Sequence, residues 1–372
     1  MSSADSVAVP APRERRSRAD IVDAVVRVRE LGLIVVLALL IGVTAALEPR
    51  FIDAESLRNL VRNATIIGLL AVGQTLVLIT RNLDLSVGSV LGLAAFMTGD
   101  LLASNPDLPI PLIFVLGMLL GSGAGIVNGV LVAYGRIPAL VATLGTLWVY
   151  RGIAFVWTGG SQVNAENLPG DFLAIGTGTV AGVPTIALFT IVTLIVVGYA
   201  LRSYRGGREL YAIGSNPDAA RLAGIRAQRR VLGAFIASGA LAGLAGVLFT
   251  ARFATVDATA GTGLELQVIA AAVIGGVAIF GGSGSVWGAV LGAVVLTTIT
   301  SALIILQVPA FWQQAVVGAL LLTAIALDRF INVRITERLR RRSARGGVDE
   351  EAAEPPSGQP AGRPREREEG GS

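Results

Sequence analysis

Ten apolar segments, at roughly 31–47, 62–80, 85–104, 110–133, 138–158, 184–201, 230–250, 266–280, 286–306 and 310–328, restrict what this chain can fold into. Each is long enough, or nearly so, to cross a hydrocarbon core of about 30 Å. The eighth is short, and a polar run interrupts the boundary between the second and third. The expected fold is an all-α integral membrane protein with about ten transmembrane helices. The transmembrane domain covers 31–330. The polar, arginine-bearing stretch 1–30 and the Pro-, Gly-, Glu- and Arg-rich stretch 331–372 are expected to be mostly disordered tails.

Composition supports this assignment. Hydrophobic residues make up 53% and charged residues 15% of the chain, with a mean hydropathy of +0.69. Soluble domains carry about 25% charged residues. The 46 glycines include small-xxx-small runs at Gly121, Gly125 and Gly129, at Gly239 and Gly243, and at Gly284, Gly288 and Gly292. Such runs let helices approach closely in lipid, where no hydrophobic drive pulls them together.

Cys, His and Lys are absent. No thiol nucleophile, disulfide framework or His/Cys zinc site can be built, so neither a metal site nor a membrane-embedded enzyme is expected. A P-loop needs a Lys on the phosphates. The stretch Gly276 to Ser283 has the glycine spacing but Gly282 in the Lys position, and reads as a helix end followed by a turn.

The arginines assign sidedness, because they concentrate in cytoplasmic loops. With ten spans, twenty-five fall on the side that holds both termini, and four on the other: Arg50, Arg58, Arg62 and Arg252. Arg151 lies within a span. Both termini are therefore expected in the cytoplasm. The basic pI near 10.1 follows from this bias and from contact with anionic lipid, with no nucleic acid required.

Three polar segments interrupt the apolar pattern. In the first, Arg81 to Ser89, Asp84 reads either as an N-cap for a helix starting at Leu85 or as a pathway residue at an inner mouth, with Asn82, Ser86, Gly88 and Ser89 beside it. The second is the loop 202–230. There Asn216 suits an N-cap, Pro217 the first helical position, Asp218 the positive end of the dipole and Gly224 the stop. The resulting two-turn helix exposes Leu222 with Ala219 and Ala223, and reads as a docking element for a soluble partner. The third, Thr259 to Gln267, places Thr262 and Glu265 at capping-box spacing at an outer mouth.

These segments are where the chain resembles a known family. The run Asn82-Leu83-Asp84-Leu85-Ser86-Val87-Gly88-Ser89 is similar to a signature of ribose/xylose-type monosaccharide permeases of ATP-binding-cassette importers. So are Gly207 to Asn216, which contains Arg208, Tyr211 and Gly214, and Ala220 to Ile225, which contains Arg221 and Leu222. The same holds for Thr259 to Leu266, which contains Gly261, Gly263 and Glu265. The resemblance covers roughly 50–330. It implies a multi-pass protein of the bacterial plasma membrane that works with a second permease subunit, a cytoplasmic ATPase carrying the ATP and Mg, and an external sugar-binding protein. It implies that this chain binds no cofactor, and that the ATPase contacts the 202–230 loop. Arg81-Asn82 and Trp157 to Gly160 favour a rhamnose-type system. Ribose, xylose, galactose and a furanosyl signalling sugar are alternatives. A branched-chain amino-acid permease of the same superfamily and an ion-coupled secondary transporter are the rival readings.

Overall fold

The protein is described from a computed structural model that covers residues 18–320 together with 322, 323 and 326, with side chains from Glu30 onward. The described residues are mostly helical: α1 Arg18–Leu47, α2 Ala54–Ile79, α3 Val87–Ser104, α4 Ile110–Ala133, α5 Ala139–Thr158, α6 Gly170–Thr177, α7 Thr185–Ser203, α8 Arg205–Ser215, α9 Pro217–Leu222, α10 Ala227–Phe253, α11 Leu264–Ile274 and α12 Val286–Ile305. Residues 310–320 are helical as well. A two-residue hairpin, β1 Thr179–Val180 with β2 Val183–Pro184, joins α6 to α7.

Among the described residues, eight helices are long and apolar enough to cross a membrane. The eighth expected span is corrected. It is α11, which stops at Ile274 because the glycine-rich run from Gly275 to Ser285 cannot continue a helix. The reading of Gly276 to Ser283 as a helix end and turn matches this. The tenth expected span lies partly outside the described residues, and the tail 331–372 and residues 1–17 lie wholly outside them. Of the stretch 1–30, residues from Arg18 are described and are helical in α1; neither Gly nor Pro occurs between Arg18 and Glu30 to break it.

α10 lies at the centre, flanked by α2, α3 and α4. The α4–α10 seam is built on the expected glycines. A side-chain carbon at Gly121 would run into the Gly239 carbonyl, and one at Gly243 into the Gly117 carbonyl, so the backbones touch directly. Around this centre the outer helices present large apolar side chains outward, among them Trp148, Val156, Ile195 and Val196. In water such a surface would aggregate; against lipid tails it is the ordinary condition.

Candidate functional site

Two of the three polar segments, expected at opposite mouths, meet. α3 begins at Val87 and places Gly88 against the Gly261 carbonyl and the Glu265 carboxylate, while Gly92 abuts the Ala260 carbonyl. Higher on α3, Gly99 faces Val163, whose backbone pairs with Val256 at the end opposite the arginine-rich loop. Gly88 lies roughly 16 Å along the helix from Gly99, at about 1.5 Å per residue. The segment 256–263 therefore dips back into the bundle instead of staying at the surface. Irregular backbone at that depth is tolerated only where protein buries it or where it lines a cavity.

Arg151 of α5 holds the dipping segment in place. Its Nη1 donates to the carbonyls of Ala258 at 2.8 Å and Ala260 at 2.6 Å. The sequence marks Arg151 only as a charge inside a span; its partners are backbone oxygens more than a hundred residues away, which no local pattern reveals.

The first segment is packed more tightly than a cap. Asp84 is 2% exposed, and its Oδ1 accepts from the Ser86 amide at 2.9 Å and the Ser86 hydroxyl at 2.7 Å. The helix starts at Val87 with Ser86 as its N-cap residue, so the expected start at Leu85 is corrected. The Asp84 carboxylate secures the turn before the helix and caps no amide inside it. Asn128 donates to the Ser86 hydroxyl at 2.7 Å, and its own oxygen accepts from Thr146 at 2.7 Å. The Gln74 amide closes the other side, donating to the Asp84 carbonyl at 3.1 Å and accepting from its N–H at 3.2 Å. Asn82 folds back, donating to the Thr80 carbonyl at 3.0 Å. Ser89 is buried, with no partner for its hydroxyl among the described residues.

The expected capping box at Thr262 and Glu265 does not form, since Gly263 is the N-cap residue of α11. Glu265 Oε1 accepts from the Gly263 amide at 3.2 Å. The Thr262 hydroxyl turns away to the Thr259 carbonyl at 2.6 Å, because Gly263, with φ 83, is the residue that turns the chain into α11.

The 202–230 loop contains two helices where one was expected. α8 precedes the short α9, and Glu209 of α8 binds Arg205 at 2.6 Å and Arg230 of α10 at 2.5 Å. These two guanidinium groups hold the Glu209 carboxyl below its ordinary range. Burial pushes the Tyr211 phenol up to about 12, and its hydroxyl donates to the Gly284 carbonyl at 2.9 Å. Arg208 donates to the Ser203 carbonyl at 3.0 Å. Asn216 caps α9 as expected, its Oδ1 accepting from Asp218 at 3.1 Å and Ala219 at 3.0 Å. Pro217 opens the helix, and Gly224 follows it with φ 77. Leu222 is 90% exposed while Ala220 is 4% exposed, and Asp218, Ala219 and Arg221 share the outward side.

A latch joins this loop to both arms of the central meeting point. Arg81, at φ 64 directly after α2, donates through Nε to the Gly214 carbonyl and through Nη2 to the Ser215 carbonyl at 2.9 Å. Gly214 packs against the Ile79 carbonyl and Gly282 with no room for a Cβ, and Gly282 donates to the Ile79 carbonyl at 2.9 Å. The end of α8 is thus fastened to the end of α2, which leads to Gly88, and to the turn after α11, which leads back to Glu265.

Trp157 to Gly160, taken as a mark of rhamnose-type systems, ends α5. Gly159 and Gly160 take φ 54 and 84, a left-handed stop after a helix.

A family model described as "Branched-chain amino acid transport system / permease component" matches residues 56–325. The autoinducer 2 import system permease protein LsrC of Escherichia coli (strain K12 / DH10B) is 38% identical over 340 residues, covering 91% of this chain and 97% of the relative. The protein of that name from Salmonella choleraesuis (strain SC-B67) is 39% identical over 313 residues, covering 84% and 89%. No solved structure matches. The matched relatives are transport components and not catalysts, and the long apolar helices make this a multi-pass membrane protein. The chain belongs to the permease family of ATP-binding-cassette importers.

Proposed function

We propose that this chain pairs with a second permease subunit to form the alternating-access pathway of a monosaccharide importer. An external binding protein delivers the sugar, and a cytoplasmic ATPase, carrying ATP and Mg, seats on α9. The exposure of Leu222 carries the docking part of this reading. A six-residue helix is marginal alone in water, and an apolar side chain at its tip needs a covering surface. ATPase movement passes through Arg81 and Gly282 to the junction of Gly88 with Gly261 and Glu265.

The similarity of the three segments to monosaccharide permeases supports a sugar substrate. A rhamnose-type sugar is one candidate, and the name of the similar relatives adds autoinducer 2. The family model's description favours a second reading, a branched-chain amino acid. The test is uptake into proteoliposomes holding the permease with its ATPase and its binding protein, supplied with labelled L-rhamnose, D-ribose, D-xylose, autoinducer 2 or L-leucine. ATP-dependent uptake of a sugar-like compound supports the proposal. Uptake of L-leucine alone contradicts it.

A further inference from the structure

The dipping segment forms the wall of a cavity of about 350 Å³ lined by Phe249, Thr255, Asp257, Thr259, Thr262 and the backbone around Gly261. We propose that this cavity is a subsite for the sugar inside the permease itself, entered from the side opposite the arginine-rich loop. The inference rests on the importer reading above and names where that substrate is held.

Two of the three lining hydroxyls, those of Thr259 and Thr262, have their protons committed. The Thr259 hydroxyl donates to Asp257 Oδ1 at 2.6 Å, and the Thr259 amide donates to that oxygen at 2.8 Å. The Thr262 hydroxyl donates to the Thr259 carbonyl. The protons of these two hydroxyls are thereby used, which leaves their oxygens as acceptors. The Thr259 hydrogen bonds keep the Asp257 carboxyl below its ordinary range, and an ionised carboxylate only accepts. Acceptors on Asp257, Thr259 and Thr262 beside the Thr255 hydroxyl suit a polyol, whose hydroxyls both donate and accept. Phe249 adds an aromatic face for the C–H side of a sugar ring.

An α-amino acid fits poorly. Asp257 accepts from an ammonium, but no basic side chain lines the cavity to receive the carboxylate. Arg151 lies beneath, but its Nη1 is committed to the Ala258 and Ala260 carbonyls. The dimensions agree as well, since small-molecule sites begin near 300 Å³.

The absence of cysteine from the chain makes the test direct. Thr262→Cys introduces a single thiol, and its rate of labelling by a membrane-impermeant maleimide is read in intact cells expressing the whole importer. The expected result is that millimolar L-rhamnose, D-ribose, D-xylose or autoinducer 2 slows labelling while L-leucine does not. Adding Asp257→Ala should raise the sugar concentration needed for half-maximal protection about fivefold, the worth of one hydrogen bond. Thr259→Cys provides a second thiol on the same wall should the first variant not reach the membrane. Labelling at both positions that no sugar slows overturns the proposal, and so does protection by L-leucine. If the proteoliposomes import a sugar while neither thiol is protected, the subsite alone fails. If they import only L-leucine, the importer reading fails with it.

Discussion

Gly88 of α3 and Glu265 of α11 touch so closely that a side-chain carbon on Gly88 would collide with the Glu265 carboxylate. They are the second residues of two helices whose preceding turns come from opposite directions. The contact joins the two polar segments Arg81–Ser89 and Thr259–Gln267. Gly88→Ala should therefore cost about 1–3 kcal/mol from overpacking. A thermal-unfolding series in detergent checks this, with Gly88→Ala less stable than wild type and Gly263→Ala, where the added carbon meets nothing, affected only through its positive φ.

Asp84 separates a structural role from a charged one. Asp84→Asn keeps an oxygen to accept from the Ser86 amide and hydroxyl, so the protein should reach the membrane in normal amount. Asp84→Leu leaves those buried donors unpaired and should lose about 1–3 kcal/mol. Expression and melting temperature read the difference. Folded Asp84→Asn with no uptake would show that the charge acts beyond holding the turn.

Arg81 fastens two carbonyls with one guanidinium, a fork that an ammonium cannot reproduce. Arg81→Lys should still co-purify with the ATPase and keep basal hydrolysis. Stimulation by loaded binding protein should fall about tenfold, in keeping with the loss of one charged hydrogen bond. Unchanged stimulation would remove the latch from the coupling route.

The tie of Glu209 to Arg205 and Arg230 predicts a pH dependence. A carboxyl held below its ordinary value of 4.5 contributes stability that is complete above that value and fades as pH falls through the lower folded-state value. The anchoring of α8 on α10 should loosen only below about pH 4.5. Glu209→Gln should remove that acid sensitivity, seen as a flatter dependence of melting temperature on pH.

Sequence alone showed the helical class and most of the spans, because length and hydropathy suffice for those. It also placed the α9 cap and its exposed Leu222, since Asn216, Pro217 and Gly224 act on immediate neighbours. It did not show that the Arg81–Ser89 and Thr259–Gln267 segments meet. That contact depends on 256–263 dipping into the bundle, a long-range consequence of Arg151, Gly88 and Gly92. Asn128, Thr146 and Gln74 were missed for the same reason. Each is a polar residue within an apolar span, and its partner lies far away in sequence, on another helix or in the turn before α3. The extent of α11 was misjudged because hydropathy carries on through Val277 to Phe280 after the glycines have ended the helix.

The coupling of α9 to an ATPase is tested most directly by the Leu222→Asp variant, purified with its ATPase and assayed for hydrolysis stimulated by loaded binding protein. Covering Leu222 should contribute about 1.5–3 kcal/mol through apolar burial, and a charge there adds a desolvation cost. The account predicts a permease that inserts and is monodisperse but releases the ATPase and loses stimulated hydrolysis, while Leu222→Met retains both. Normal co-purification and normal stimulation with Leu222→Asp would mean that α9 is only a connector.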